Sequence, residues 1–261
     1  MQNDFLDSNV LEKFLDSLKG ISEAEMSNVN FVEKFIIVKA GLNNEILTEQ
    51  PSELAPYFGT GLHIWQYPNQ FARYLVWLSK NARNIKRYVE IGSRWGGTFI
   101  FVTEWLKRVN PRLEMAIAID PIALPPLIKA YREMSNGSAT KIDYVQALST
   151  SFEVHELFSR LKPDMVFIDG DHSMRGAFAD HMLASATAKI IVHHDVCSDA
   201  CPETTELWRG LRNLEKKKFK SWEFIDQYDS VSGNYLGIGC LKRRENIATR
   251  YRQFISNIQK S

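Results

Sequence analysis

The sequence predicts an α/β fold built on a mostly parallel β-sheet with helices on both faces. From residue 87 onward, short apolar runs alternate with helical patterns, which is typical of parallel strands joined by crossover helices. Near the end of the chain, two apolar runs flank Ser232-Gly233-Asn234, a turn signal that predicts an antiparallel pair. These observations predict five parallel strands followed by a C-terminal hairpin.

Apolar runs and their periodicity place each element along the chain. The predicted strands cover residues 87–91, 115–120, 142–146, 165–169, 190–194, 222–228 and 235–241. The predicted helices of the same part cover residues 97–109, 124–134, 152–161, 174–186, 203–217 and 245–258. Before the sheet, residues 5–18 and 70–84 read as helices on either side of a loop-like stretch at 51–68. We therefore expect an N-terminal helical or lid region, residues 1–85, and a main domain, residues 86–261.

Composition narrows the classes of function. With 32 basic and 31 acidic residues the net charge is +1, so the chain lacks the basic excess of a nucleic-acid surface. Three cysteines, an odd number, argue against a disulfide framework and fit a reducing compartment. The N-terminus lacks a signal-peptide pattern, and no apolar run approaches the ~20 residues of a membrane span. We expect a cytoplasmic protein that binds neither nucleic acid nor membrane.

The glycine turn after the first predicted strand indicates a nucleotide-cofactor site. Glu90 ends a buried strand, and Gly92, Gly96 and Gly97 lead into a helix whose first amides would face a ligand. A carboxylate at this point suits a ligand with positive charge and hydroxyls, and it would repel a pyrophosphate. S-adenosylmethionine carries a sulfonium, an ammonium and a ribose but no phosphate, so the turn favours it. The alternative is a plain strand-to-helix turn.

The ends of the second and third predicted strands would extend the same site. Asp120 ends the second strand, where an acid hydrogen-bonds both ribose hydroxyls of an adenosine. Gln146 and Ala147 follow the third strand, at the position expected to lie near the adenine. Asp120-Pro121 is also consistent with the start of an ordinary turn.

Ionisable side chains follow the fourth and fifth predicted strands. Asp169, Asp171 and His172 come after one strand, and His194 and Asp195 end the next. Because the tips of adjacent parallel strands converge, we expect Asp169, His194 and Asp195 to surround one point. Two carboxylates and an imidazole suit a divalent cation, Mg²⁺ or Mn²⁺ rather than zinc. Capping of the next helix by Asp171 or Ser173 would account for one polar group after the fourth strand.

Four segments carry a resemblance to a known family: Glu90-Ile91-Gly92-Ser93, Gly96-Gly97-Thr98, Phe167-Ile168-Asp169-Gly170-Asp171-His172 and His194-Asp195. They resemble the class I S-adenosylmethionine-dependent methyltransferases, in particular the branch with the cephalosporin hydroxylase-like and macrolide-sugar O-methyltransferases. Cys201-Pro202, Leu207-Trp208 and Gly237-Ile238-Gly239 are also similar to that branch, and the resemblance covers roughly residues 60–242. It implies a Rossmann-like class I methyltransferase sheet. The implied S-adenosylmethionine ligands are Glu90, Gly92, Ser93, Gly96, Gly97, Thr98, Asp120, Gln146, Ala147 and Asp169.

The resemblance also implies roles at the reaction centre. A metal would be held by Asp169 and by the pair His194-Asp195, and His172 would act as the general base. The sequence departs from the family at His194, where the family has an acid. The site therefore has one negative charge fewer and should bind a metal more weakly or not at all.

The sequence thus predicts O-methylation of a hydroxyl on a sugar or another small-molecule natural product. Two alternatives stay open. An NAD-dependent oxidoreductase would need G-x-G-x-x-G after the first strand, and this chain lacks that spacing. A degenerate methyltransferase fold could instead serve as a non-catalytic binding module. The sequence does not specify the acceptor, and it leaves a homo-oligomer open.

Overall fold

In the computed structural model, which describes residues 8–44 and 50–244, a seven-stranded sheet runs in the order β3-β2-β1-β4-β5-β7-β6. The strands are β1 (Arg87–Ile91), β2 (Met115–Asp120), β3 (Lys141–Gln146), β4 (Met165–Ile168), β5 (Ile190–His194), β6 (Phe219–Phe224) and β7 (Ile238–Arg243). Strands β1 to β5 are parallel, and β7 is antiparallel to both β5 and β6. The predicted fold is therefore confirmed: a mostly parallel Rossmann-like sheet with an antiparallel C-terminal pair.

Helices lie before and between the strands. They are α1 (Ser8–Lys19), α2 (Glu23–Met26), α3 (Val29–Phe31), α4 (Val38–Ala40), α5 (Pro68–Asn81), α6 (Gly97–Val109), α7 (Pro126–Met134), α8 (Phe152–Leu161), α9 (Met174–Ser185) and α10 (Pro202–Leu214). A π-helical segment, Val32–Ile37, joins α3 to α4, and a 3₁₀ helix, Ser52–Tyr57, occupies part of the predicted loop. The predicted helix at 245–258 lies outside the described residues.

Some predicted boundaries were wrong for identifiable reasons. Helix α7 begins at Pro126 rather than at Leu124, because a proline is best accommodated at the first helical position. The C-terminal pair was predicted at 222–228 and 235–241, but its strands are Phe219–Phe224 and Ile238–Arg243. In the connection, the backbone N–H groups of Asn234 and Tyr235 donate to side chains rather than to a neighbouring strand.

The described part of the N-terminal region packs directly against the sheet domain. Helix α5 lies against α6 and the strands β6 and β7. One apolar core runs from Phe14 of α1 through Phe71 and Phe101 to Phe167 of β4. The Phe71 and Phe101 rings meet edge to face with centroids 5.2 Å apart. The division at residue 85 stays a prediction.

The topology decides where a ligand would bind. The strand order reverses between β1 and β4, which are adjacent in the sheet although two strands separate them in sequence. Open α/β sheets bind ligands at the carboxyl ends of the strands beside such a reversal. In residues 8–44 and 50–244, no helix is both long and apolar enough to cross a membrane.

Candidate active site

A cavity of about 420 Å³ opens at the carboxyl ends of β1, β2, β4 and β5. It is called the first cavity below. Seven of the ten predicted cofactor residues line it: Glu90, Gly92, Ser93, Thr98, Asp120, Ala147 and Asp169. The hydroxyl of Ser93 is buried and has no hydrogen-bond partner among the described residues. A buried polar atom without a partner is costly, so this hydroxyl favours a polar ligand in the cavity.

A single glycine makes the close approach of two loops feasible. Gly92 has a φ of +83°, in the left-handed region that suits glycine. A Cβ at this position would lie 1.9 Å from the carbonyl oxygen of Asp169. Any larger residue would push the loop after β4 away from the loop after β1, so Gly92 keeps both sides of the first cavity together.

Backbone amides fix the carboxylate of Asp120. The N–H of Arg94 donates to Asp120 Oδ2 at 2.7 Å, and the N–H of Ile122 donates to Oδ1 at 3.1 Å. Each carboxylate oxygen can accept a second hydrogen bond. Both oxygens of this buried side chain can therefore accept hydrogen bonds from a pair of neighbouring hydroxyls in the first cavity.

Glu90 is a buried acid at the base of the same cavity. The hydroxyl of Tyr88 donates to its Oε2. Burial raises the pKa of Glu90 to about 8, despite the hydrogen bond from Tyr88 and the positive field of His194. The side chain is therefore mostly neutral at pH 7 while the first cavity holds no cation, and a bound cation would favour its charged form.

Three predicted cofactor residues do not line the first cavity. Gly96 lies against Ile128, and a Cβ at Gly97 would meet the carbonyl oxygen of Leu62 at 2.1 Å. These two glycines permit close packing around the start of α6, and their contact with a cofactor stays a prediction. Gln146 ends β3 and is exposed, whereas the next residue, Ala147, lines the cavity. Side chains alternate along an extended chain, which explains the difference.

Four ionisable side chains meet at the ends of β4 and β5, and we call them the Asp–His cluster: Asp169, His172, His194 and Asp195. His194 Nδ1 lies 3.0 Å from Asp169 Oδ1 and 3.1 Å from Asp195 Oδ2. His172 Nε2 lies 3.3 Å and 3.5 Å from the same two oxygens. The structure thus brings together Asp169, His194 and Asp195, the residues predicted as metal ligands, and adds His172.

Local backbone structure aims Asp195 into the cluster. Asp195 has a φ of +54°, an uncommon conformation for a residue other than glycine. The hydroxyls of Thr204 and Thr205, near the start of α10, donate to the Asp195 carbonyl oxygen at 2.9 and 3.1 Å. Such backbone strain concentrates at functional sites, where surrounding contacts hold it.

Charges inside the Asp–His cluster support one another. Burial alone would raise the pKa of Asp169, but the charge of His194 and hydrogen bonds from both histidines outweigh it and hold this pKa at about 2. Burial alone would lower the pKa of His194, yet the two carboxylates raise it well above its usual value. The hydrogen bond to Asp169 likewise raises the pKa of His172.

The neighbouring residue on β5, His193, lies outside this cluster, as alternation along the strand predicts. Its Nε2 lies 3.0 Å from Nδ1 of His181 on α9, and both rings are buried. The pair also packs against Trp208, whose ring centroid is 5.6 Å from that of His193. Burial lowers the pKa of both histidines, that of His181 to about 4.

A second cavity of about 400 Å³ adjoins the first. The two cavities share four lining residues: Trp65, Arg94, His172 and Asp195. The rest of the second cavity is lined by Tyr67, Ser198, Ala200, Cys201, Tyr235 and Leu236. The guanidinium of Arg94 stacks over the Trp65 ring, 4.1 Å from its centroid. Cys201 Sγ lies 3.3 Å from His172 Nδ1.

Sequence reasoning missed several of these residues. Arg94 could have been found, because it lies inside the glycine turn that had already been singled out. Cys201 belongs to the family resemblance but was given no role at the site, and Tyr235 carries no local signal; the folding of α10 and of the connection before β7 brings both to the second cavity.

Among the known proteins compared with this chain, only solved structures match it. No protein-family model and no curated protein matches this chain. Among solved structures, the O-methyltransferase TomG from Streptomyces achromogenes is 14% identical over 69% of this chain and 82% of its own, with a TM-score of 0.46. An O-methyltransferase from Bacillus cereus, in complex with S-adenosylhomocysteine, is 14% identical over 88% and 96%, also at 0.46.

A putative O-methyltransferase from Klebsiella pneumoniae is 16% identical over 91% of this chain and 97% of its own, with a TM-score of 0.44. At such identities and TM-scores, none of these proteins' activities transfers to this chain. The strand order of the sheet itself defines the class I methyltransferase fold.

Proposed function

We propose that this chain is an S-adenosylmethionine-dependent methyltransferase that methylates a hydroxyl of a small molecule. One observation carries the proposal. The first cavity has buried acids at the ends of adjacent strands, and it meets the second cavity at His172. A methyl donor in one cavity and a hydroxyl in the other would therefore meet beside a potential base.

The acids of the first cavity suit the donor's charge and shape. Asp120 would accept hydrogen bonds from the two ribose hydroxyls, and Glu90 would lie near the methionine ammonium. The positive charge of that ammonium would favour the ionised form of Glu90. A dinucleotide would instead place its pyrophosphate against these acids, which is unfavourable.

His172 is placed to accept the acceptor's proton. Ionised carboxylates only accept hydrogen bonds, so the proximity of Asp169 and Asp195 to Nε2 places the ring hydrogen there. The lone pair of the neutral ring is then on Nδ1, on the side of Cys201 and the second cavity. As the acceptor oxygen attacks, the S–CH₃ bond breaks, the O–CH₃ bond forms and the proton moves to Nδ1.

The resemblance implies Mg²⁺ or Mn²⁺ at Asp169, His194 and Asp195. The donors fit Mg²⁺ poorly, because this ion requires oxygen ligands and here an imidazole nitrogen lies between the two carboxylate oxygens. The proposed reaction therefore includes no step through a metal. Positioning and removal of water by the two cavities, with a base at His172, supply the catalysis.

The acceptor class is part of the proposal. A net charge of +1 and a second cavity of about 400 Å³ favour a small molecule over a nucleic acid. Aromatic walls at Trp65, Tyr67 and Tyr235 suit a sugar or another ring carrying hydroxyls. A cytoplasmic location and a homo-oligomeric state stay expectations from the sequence.

Calorimetric titration with S-adenosylhomocysteine and with NAD tests the proposal. We expect the wild type to bind S-adenosylhomocysteine and not NAD. Asp120→Asn should weaken binding about 10–100-fold, because hydrogen bonds to a charged group contribute about 1.5–3 kcal/mol. The matched control is Asp226→Asn, an exposed acid paired with Arg73, which should leave the affinity unchanged.

Two results would contradict the proposal. Preferential binding of NAD would support the oxidoreductase alternative. Binding of neither compound by a folded wild type would support a non-catalytic module.

A further inference from the structure

The carboxylates of Asp169 and Asp195 come from different strands and are held around one nitrogen. His194 Nδ1 lies 3.0 and 3.1 Å from one oxygen of each. Without a positive group between them, two carboxylates at this distance from a common point would repel each other. We propose that the His194 side chain takes the place of a divalent cation here, so that the centre operates without a metal; this rests on the proposed function for its catalytic part only.

His194 is fixed in this position. Its side chain is 2% exposed, and its ring stacks on Phe167 with centroids 6.4 Å apart. The residue pairs with Ile238 in the ladder between β5 and β7, so its backbone cannot shift without breaking the sheet. An ion that used both carboxylate oxygens would have to displace the Nδ1 hydrogen from a buried ring.

The other nitrogen of His194 also argues against metal binding. A histidine that binds a metal almost always donates its second ring N–H to a carboxylate, a carbonyl or water. His194 Nε2 is buried and has no hydrogen-bond partner among the described residues. The ring therefore lacks the outer support of a metal ligand, and its polar contacts are all made through Nδ1.

His172 contacts the same two carboxylates. Its Nε2 lies 3.3 and 3.5 Å from the oxygens that contact His194. The two oxygens that a cation would need are thus each in contact with two imidazole nitrogens. Replacing His194 by an acid would remove one positive group and add a third oxygen ligand, which is the donor set that Mg²⁺ and Mn²⁺ prefer.

The experiment measures binding of Mn²⁺, Mg²⁺ and Zn²⁺ by calorimetry, with Mn²⁺ also followed by electron paramagnetic resonance of the free ion. The samples are the wild type, His194→Asp, His194→Glu and the matched control His155→Asp, an exposed histidine on α8. We expect no binding by the wild type or the control. At least one of His194→Asp and His194→Glu should bind Mn²⁺. Added Mn²⁺ should raise the midpoint temperature of thermal unfolding of the binding variant and leave that of the wild type and of the control unchanged.

Several outcomes would overturn the inference. One is wild-type binding of Mn²⁺ or Mg²⁺ that Asp169→Asn abolishes. Another is Zn²⁺ binding that Cys201→Ser abolishes, since His172, Asp195 and Cys201 also lie within 4.8 Å of one another. A third is failure of both acidic variants to bind Mn²⁺ although their circular dichroism matches the wild type.

Binding of S-adenosylhomocysteine, titrated in the same samples, keeps the two proposals apart. If the wild type binds neither S-adenosylhomocysteine nor metal while His194→Asp binds Mn²⁺, the methyltransferase proposal fails and the role of His194 stands. If the wild type binds both S-adenosylhomocysteine and Mn²⁺, the methyltransferase proposal stands and the role of His194 as a substitute for a cation fails.

Discussion

Two adjacent histidines at the end of β5 have opposite environments. His194 contacts two carboxylates, which raise its pKa well above the usual value despite its burial. His193 lies one residue earlier, contacts His181 and Trp208, and has its pKa lowered well below the usual value by burial. Both rings are almost completely buried, so burial alone does not determine the charge. The comparison shows that the partner across the contact decides whether a buried histidine carries charge.

The difference extends to two pairs of histidines: His172 and His194 in the Asp–His cluster, and His181 and His193 beside it. The Asp–His cluster lies between two cavities, where charged groups can act on a ligand. His181 and His193 lie behind the sheet rim, between α9 and β5, and line neither of these cavities. We infer that His172 and His194 serve catalysis and that His181 and His193 serve packing.

The largest expected effect tests this division of tasks. His172→Ala should lower kcat about 10²–10⁴-fold with little change in affinity for S-adenosylhomocysteine, because it removes the base. His181→Ala should leave kcat nearly unchanged. Steady-state kinetics of both variants with an acceptor that the wild type methylates measure the difference, and equal losses of kcat would contradict the comparison.

The pH dependence of the same reaction gives a second check on His172. A base is active when deprotonated, so kcat should rise as the pH rises through the raised pKa of His172. Asp169, Asp195, His194 and Cys201 are the ionisable groups that face this ring. A profile that falls over the same range would exclude His172 as the base.

Substitutions at His194 and at His193, which are neighbours on β5, should lower the free energy of unfolding by different amounts. His194→Leu removes the buried imidazole that lies between two carboxylates and leaves them with the more exposed His172 alone, and breaking such a buried pair costs about 3 kcal/mol. His193→Leu leaves one buried nitrogen of His181 without a partner, at a cost of about 1 kcal/mol. Urea unfolding at pH 7 measures both losses, and a larger loss for His193→Leu would reverse the expectation.

Acid should lower the free energy of unfolding through His181 and His193. His181 has its pKa lowered from 6.5 to about 4, so its contribution is full above pH 6.5 and is lost as the pH falls towards 4. His194 has a raised pKa, so its contribution is full below pH 6.5 and is lost only as the pH rises through the folded pKa.

Between pH 7 and pH 5 the wild type should lose about 4 kcal/mol more than a variant with leucine at both His181 and His193, which is about 2 kcal/mol for each histidine that only the unfolded chain protonates. Unfolding of both proteins by urea at the two pH values measures this difference. An equal loss in both proteins would mean that other groups cause the acid sensitivity.

The smallest expected effect concerns Glu90, a third buried group at the same rim. Its pKa of about 8 means that it is protonated at pH 7 before a ligand binds. If the methionine ammonium lies beside it, binding of S-adenosylhomocysteine should release about one proton per molecule at pH 7. Calorimetry in buffers of different ionisation enthalpy measures this number, which should be near zero for Glu90→Gln.

Acids at or near the ends of the strands come together at the first cavity. Glu90, Asp120 and Asp169 each follow or end an apolar run, and all three line the first cavity. A run of apolar residues ending in an acid is a local pattern, so the sequence alone reveals it. The strand order then brings these ends to one edge of the sheet, as parallel pairing requires.

Contacts between segments that are far apart along the chain have no pattern in the sequence that predicts them. The packing of Gly96 against Ile128 and of Gly97 against Leu62 is an example, and the predicted cofactor role of both glycines stays a prediction. Cys201 contacts His172 only because the N-terminus of α10 lies beside the loop after β4. No local pattern reports such contacts.

The sequence by itself determined the α/β fold, the order of its parallel strands along the chain and the acids at the strand ends. These follow from hydrophobic periodicity and from the alternation of side chains, which are local properties. The sequence also predicted that His194 meets Asp169 and Asp195, but only the tertiary structure showed that one ring nitrogen contacts both carboxylates and that His193 lies against another imidazole. The charge of a buried group depends on the atoms around it, and those atoms come from segments that are distant in sequence.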